Sequence, residues 1–314
     1  MRTVNVLLIC AMLVALVGCT PVMPVEESPV VHESEDFEHP EALASTVWLA
    51  DNLDVANLRI VDVRRQAKSD YEAAHIPGAV YADLLDDLMV PDADVVSVAP
   101  TPDAFSATMQ RLGIGPDTTV VVYDIMGGAK GGARLWWLLH YYGHDNVKVL
   151  NGGLTKWELE GRPVESGEVT TDTGTFVAAA PREEWRADAE TVQAAMDDSE
   201  VMVIDALPVK LYTGEEPQGE PMRDGHIPTA TNLPAPDNLD PTTTALLPRS
   251  KLEKRWAELG LQEDQEAITY CQAGVYSALD FFILYQLGHE SIRLYERSLL
   301  EWGVDPAYPM EMGG

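Results

Sequence analysis

A repeat constrains this chain more than any other feature. Ala74-His75-Ile76-Pro77-Gly78-Ala79 recurs as Gly225-His226-Ile227-Pro228-Thr229-Ala230. Residues 58–62 recur as 201–205, and 120–124 as 267–271. Farther on, Gly143-His144 matches Gly288-His289, and Trp157 matches Trp302. The pairs keep one order and stay 143 to 151 residues apart, which is the mark of two homologous domains. Their expected bounds are 41–165 and 182–311, with a Gly/Thr-rich linker over 166–181. At 314 residues the chain suits two domains better than one, and 46% apolar residues are enough to give each half its own core.

Each half reads as strand, turn, helix. Residues 120–123 and 267–270 are short apolar runs of the kind buried in a parallel sheet. An apolar helix is expected after each, at 133–142 and 277–287, and then a further short strand at 147–150 and 291–295. This alternation predicts the α/β class, with two tandem domains that are each a mainly parallel sheet flanked by helices. Ligands should lie beyond the carboxyl ends of the strands.

Ahead of the repeat, Arg2 precedes an almost wholly apolar run over 4–17, too short for a permanent span but suited to a secretory signal. The run ends in Leu16-Val17-Gly18-Cys19, which resembles the lipobox of bacterial lipoproteins. In that family the chain is cut before the cysteine, whose thiol then carries a diacylglycerol. The expectation is a signal peptide over 1–18, a lipidated Cys19, an acidic Pro-rich tether over 19–40, and a cell-envelope protein held to the membrane by lipid alone on its extracytoplasmic side. An ordinary signal peptide, or a short anchor, with a chance cysteine is the alternative. Lys plus Arg number 21 against 51 for Asp plus Glu, a net charge of −30. That balance argues against nucleic-acid partners and against docking on anionic lipid.

Three cysteines are too few for a disulfide scaffold. Cys10 would leave with the signal and Cys19 would hold lipid, so only Cys271 remains in the folded body. It stands where a buried strand gives way to the loop Gln272-Ala273-Gly274-Val275-Tyr276, with a helix from about Ser277. Backbone N–H groups of a tight loop and a helix start favour negative charge at such a corner. A thiol there is a nucleophile. Position alone equally allows a small buried apolar residue.

Several motifs together break that tie. They are Asp62-Val63-Arg64, the two His-Ile-Pro turns, Leu150-Asn151-Gly152-Gly153-Leu154 with Trp157, and Tyr270-Cys271-Gln272-Ala273-Gly274-Val275. Over most of its length the chain resembles the tandem-domain rhodanese family. The resemblance implies a first domain that is inactive, here with Asp124 in the place of the cysteine, and a second that carries it. It implies a sulfurtransferase that moves sulfane sulfur from thiosulfate or 3-mercaptopyruvate to cyanide or a thiol through a Cys271 persulfide. The loop Gln272, Ala273, Gly274, Val275, Tyr276 and Ser277 would hold the sulfur, with no metal or cofactor and a monomeric chain expected.

The chain also departs from the family. The loop carries no charge, and Leu207 and Leu211 stand where family arginines are expected. Lys210 and Arg223 are then the nearby cations, as candidate donor-binding residues or as solvated surface. The small neutral loop leans toward 3-mercaptopyruvate. It also favours a competing reading, a non-catalytic binding or persulfide-relay module that serves a partner protein. Phosphatases on the same fold place an arginine where this chain has Ser277, so phosphatase chemistry is not expected.

Other motifs carry less. Residues 127–134 lack the Lys-Ser/Thr of a P-loop and read as a vestigial loop at the domain interface. His75 and His226 have no partners at metal-ligand spacing and read as turn residues. Trp136, Trp137, Tyr141 and Tyr142 suit an interdomain core. Residues 237–240 read as a polar loop.

Overall fold

The computed structural model describes residues 36–92 and 95–313. The expected signal peptide, Cys10, Cys19 and most of the tether lie outside these residues. Among the described residues, no helix is long and apolar enough to cross a membrane.

The first half supplies strands β1 (Leu43–Ala44), β2 (Leu58–Arg64), β3 (Val80–Asp83), β4 (Val90–Asp92), β5 (Val95–Val98), β6 (Thr119–Tyr123) and β7 (Val147–Leu150). Of these, β1-β7-β6-β2-β3 form a sheet whose pairs are all parallel, and β4 with β5 forms a small antiparallel ribbon. The second half supplies β8 (Val201–Asp205), β9 (Thr231–Asn232), β10 (Glu266–Tyr270) and β11 (Ile292–Leu294), ordered β11-β10-β8-β9 and again parallel. The two orders correspond strand for strand. Even the place of β1 is kept, by a parallel bridge from Arg186 to Leu294. Register is kept as well: Asp62 faces Tyr123 as Asp205 faces Tyr270.

The repeated motifs make the same contacts twice. Tyr71 stacks on His75 and Tyr212 on His226, each histidine's Nδ1 lying 2.8 Å from that tyrosine's carbonyl. The amides of Ile76 and Ile227 donate to the hydroxyls of Tyr123 and Tyr270 at 3.0 Å. Trp157 and Trp302 each donate an indole N–H to a proline carbonyl, Pro163 and Pro309, at 2.7 Å. Both histidines are therefore turn residues, buried against a ring and a carbonyl. Their Ile-Pro turns lock the strand behind them to the centre of each sheet.

Two expected boundaries shift. Phe37 is buried, and the amide of Glu38 donates to Gln286, so the folded body begins before residue 41. The linker over 166–181 is a strap on the first domain rather than a free connection. Gly174 donates to Gln110, Phe176 to Ile114 and Ala179 to Tyr142, while the Phe176 ring is buried. The expected strands and long helices lie within one residue of the observed ones at every end, β11 being one residue shorter than expected at each end.

The interface is built on two helices, Gly132–Tyr141 and Tyr276–Gln286, which pack against each other and are buried almost all round. Trp136 sits edge-on to Phe282 at 4.8 Å and near Tyr285 at 5.1 Å. Trp137 stacks on Tyr141, whereas Tyr142 packs on Phe105 within its own domain. An ionic group adds to this: Arg134 of the first domain and Glu296 are fully buried and paired, and the partly exposed Arg186 also pairs with Glu296. Gly127 lies so close to the second domain that a Cβ would fall 2.0 Å from the Thr244 carbonyl, which no side chain tolerates. The loop over 127–134 is thus an interface loop, as expected.

Candidate active site

Cys271 is the first residue after β10, the strand that runs through the middle of the second sheet. The residue is 2% exposed, and its Sγ accepts a hydrogen bond from the Ser277 hydroxyl at 3.4 Å. The loop that follows is pinned from behind. The Cys271 amide donates to Ser298 Oγ at 3.1 Å, and the carbonyls of Cys271 and Gln272 accept from Leu299 and Leu300. Ser298 reaches this position in a left-handed conformation, φ +51°, with its hydroxyl donating to Tyr295. Gly274 is required for two reasons. Its φ is +73°, and a Cβ would sit 2.7 Å from the Glu296 carbonyl. On the outer side, Gln272 Nε2 donates to the backbone carbonyl and the side-chain Oε1 of Gln218. A short loop held at so many points keeps the thiol where strand, loop and helix start meet.

The first domain shows what such a corner does. Asp124 follows β6 as Cys271 follows β10, and its fully buried carboxylate accepts four backbone N–H groups. Met126 and Gly128 donate to Oδ1, Lys130 and Gly132 to Oδ2, at 2.7 to 3.0 Å. Burial pushes this carboxyl's pKa up while the four amides pull it back, and burial prevails. The corner is an anion cradle, and in this domain the chain's own carboxylate fills it.

The Cys271 corner and the loop that follows Asp124 line one cavity of about 350 Å³. Cys271, Gln272, Ala273, Val275, Tyr276 and Leu207 line it from the second domain. From the first come Arg64, Arg65, Ile125 and Lys130, among others. Arg64 is committed elsewhere: its guanidinium makes two hydrogen bonds to Asp62, at 2.8 and 2.9 Å, and one to the Ala74 carbonyl. Arg65 is exposed and forms no ion pair among the described residues. Lys130 Nζ donates to the Tyr276 hydroxyl at 3.0 Å, across the cleft.

Two expected donor-binding residues are corrected. Arg223 donates to the carbonyls of Trp302, Gly303 and Asp305, so it caps the helix Ser298–Trp302 at its C-terminus. Lys210 is exposed and pairs with Glu216 at 3.2 Å. Neither lines the cavity. The cations that do line it come from the first domain, not from the half that carries Cys271. The duplication held the needed signal, since equivalent corners of paired domains can face each other and share one cleft.

The Asp205 environment also differs between the halves. Asp62 has Arg64; its counterpart Asp205 has Leu207 in the arginine's place. Fully buried, Asp205 accepts the Leu207 amide at Oδ1 (2.8 Å), and its Oδ2 forms no hydrogen bond, although the Tyr270 hydroxyl beside it eases ionisation. Desolvation raises its pKa to about 7. Among the described residues no group of His, Cys, Asp and Glu is placed to hold a metal ion.

Comparison with known proteins identifies the family. The rhodanese-like domain model matches twice, at residues 45–160 and 188–305. The chain belongs to the tandem-domain rhodanese family. A Mycobacterium leprae protein assigned as a thiosulfate sulfurtransferase is 34% identical over 87% of this chain and 98% of its own. The sulfur carrier protein TtuD of Thermus thermophilus is 31% identical over 88% and 99%. The crystal structure of the Escherichia coli 3-mercaptopyruvate sulfurtransferase SseA superposes with a TM-score of 0.73 at 28% identity, covering 82% of this chain and 98% of that one. Sulfur transfer is the activity this rhodanese's relatives carry.

Proposed function

We propose that this rhodanese transfers sulfane sulfur from a small anionic donor, thiosulfate or 3-mercaptopyruvate, to cyanide or a thiol through a persulfide on Cys271. The Cys271 thiolate attacks the donor's outer sulfur. The Sγ–S bond forms as the donor's S–S or C–S bond breaks. The electron pair leaves with sulfite, or with the pyruvate enolate, which takes up a proton. The acceptor then attacks the outer sulfur of the persulfide, and the pair returns to Cys271. What carries the reading is the corner itself, whose first-domain twin holds a carboxylate on four backbone amides. A neutral loop in an acidic protein needs such amides to hold the persulfide anion. Arg65 and Lys130, from across the cleft, supply the charge that draws the donor in.

The Thermus relative favours a second reading, in which Cys271 holds sulfur for delivery to a partner protein. One experiment separates the two. Thiocyanate formation from cyanide is measured with each donor, beside mass spectrometry of the protein after donor treatment. The enzyme reading expects turnover that Cys271→Ser abolishes. A stable gain of about 32 Da on Cys271 without turnover supports the relay instead. Equal inertness of wild type and variant, with no adduct, would sink both.

We also infer from the Leu16-Val17-Gly18-Cys19 motif that Cys19 carries lipid and that the domains work on the extracytoplasmic side of a membrane.

A further inference from the structure

Thiosulfate and 3-mercaptopyruvate ask different things of the cleft when they part with sulfur. Sulfite leaves thiosulfate with the electron pair on its own sulfur and needs no proton. The carbon fragment of 3-mercaptopyruvate leaves as an enolate, which becomes pyruvate only when its methylene carbon takes up a proton. A site that serves this donor gains from an acid held beside the leaving carbon. Tyr276 carries the one hydroxyl among the described residues that line the cavity with Cys271. It opens the helix Tyr276–Gln286 directly after the loop that follows Cys271, so ring and thiol are fixed on one corner. Its oxygen accepts a hydrogen bond from Lys130 Nζ at 3.0 Å, and that ammonium lies 5.1 Å from the ring centre. An ammonium only donates, so the tyrosine's own proton is not spent on Lys130. The neighbouring donors are spent: the buried Ser277 hydroxyl on Cys271 Sγ, and the Gln272 amide on Gln218.

We propose that Tyr276 is a catalytic acid, which protonates the enolate that leaves 3-mercaptopyruvate, and that Lys130 supports the charge left on its oxygen. This inference rests on the sulfurtransferase reading above and assigns a residue to one of its half-reactions. The Cys271 thiolate attacks the donor sulfur, the Sγ–S bond forms and the C–S bond breaks, while the donor sulfur keeps its hydrogen. The pair from the C–S bond goes to the methylene carbon and spreads over the neighbouring carbonyl. The Tyr276 O–H bond then breaks, and its proton completes the methyl group of pyruvate. The pair of that bond stays on the phenolate oxygen, 3.0 Å from the Lys130 ammonium. A proton from water restores the phenol once pyruvate has left, and neither oxidant nor reductant enters. The two domains divide this step, the second giving thiol and acid, the first the cation that steadies the acid.

Tyr276→Phe keeps the ring and removes the proton. In a two-step transfer, kcat/KM for the donor reports persulfide formation alone. Wild type and variant are therefore compared on 3-mercaptopyruvate and on thiosulfate, with cyanide as acceptor and with thiocyanate and pyruvate as readouts. A positioned general acid is worth about 10²–10⁴-fold, so the ratio of kcat/KM for 3-mercaptopyruvate to that for thiosulfate should fall by about a hundredfold or more. Misfolding or weaker donor attraction lowers both values and cancels in the ratio, whereas a lost proton does not. Lys130→Met, which leaves the hydroxyl in place without its ammonium, should lower the same ratio several-fold. A ratio that Tyr276→Phe leaves unmoved overturns the inference. So does a wild type that turns over thiosulfate but releases no pyruvate from 3-mercaptopyruvate. In both cases the sulfurtransferase reading stands and only the acid is wrong. If the wild type turns over neither donor, both fall together.

Discussion

Asp205 should make the stability of this protein fall as pH rises through neutrality, and Asp205→Asn should remove that dependence. The carboxyl is fully buried, with the Leu207 amide and the Tyr270 hydroxyl beside it but no cation among the described residues, and its pKa stands at about 7. In the unfolded chain it titrates near 3.9. Between those two values the folded state holds a proton that the unfolded state has released. The stabilisation is thus complete below the unfolded pKa and is lost as pH climbs to the folded one. A gap of roughly three units at 1.36 kcal/mol each comes to about 4 kcal/mol, a large share of the 5–15 kcal/mol typical of a folded domain. Over the experimentally convenient span from pH 5 to pH 8.5, about two of those units remain, or about 3 kcal/mol. Asparagine copies the shape of the protonated acid, keeps an acceptor for the Leu207 amide and does not titrate. Urea unfolding followed by tryptophan fluorescence is the assay. With m near ~3 kcal/mol per M, the wild-type midpoint should fall about 1 M further than that of Asp205→Asn across the span. Taking the difference between the two proteins cancels every other titrating group. Leu207→Arg should flatten the slope by the opposite route, giving the ionised carboxylate the partner that Arg64 gives Asp62. If the two midpoints shift in parallel across the span, Asp205 holds no proton in the fold and the reasoning fails.

Two further outcomes test the assignments made here. Arg223→Ala should lower stability by about 1–3 kcal/mol, since three carbonyls lose a charged donor, and leave KM for thiosulfate unchanged; a rise in KM with stability intact would return Arg223 to the donor site. Cys19→Ser should abolish incorporation of labelled palmitate into the protein expressed in a bacterial host, and undiminished labelling would refute the lipid anchor.

Much of this architecture was legible from spacing alone. The repeat fixed the domain pair, and the Cys271 corner was visible as a buried strand running into a glycine-bearing loop. Continuous apolar runs such as 119–123 announce a central parallel strand because both faces are covered. What could not be read were the contacts that depend on how one domain faces the other. Lys130 is many residues from Cys271 in sequence and enters the cleft only because the two helices at the interface bring the corners together. Arg223 shows the converse: a cation in the same domain as Cys271 is spent on the carbonyl end of a short helix. The strap over 166–181 has a loop's composition, yet its backbone is paired to the first domain and its one aromatic residue, Phe176, is buried there.

The first domain has Asp124 in the place of the cysteine, and its parts are divided between structure and the cleft. Its corner no longer needs a ligand, because Asp124 satisfies four amides that would otherwise be buried without partners. Freed of chemistry, the same loop can be longer, and that added length carries Lys130 out over Tyr276. The second domain has moved in the other direction. It keeps the thiol and the short loop but has leucine where its twin keeps an arginine, at the cost of a buried acid without a cation. In a chain of net charge −30, attraction for an anionic donor must be local, within the ~8 Å over which charges act at physiological salt. Arg64, Arg65 and Lys130, the cations that line the cleft, come from the first domain, as does Asp70, its one acid. Separating the two domains should therefore cost more than the buried interface, since neither half alone presents both the thiol and the charge that brings sulfur to it.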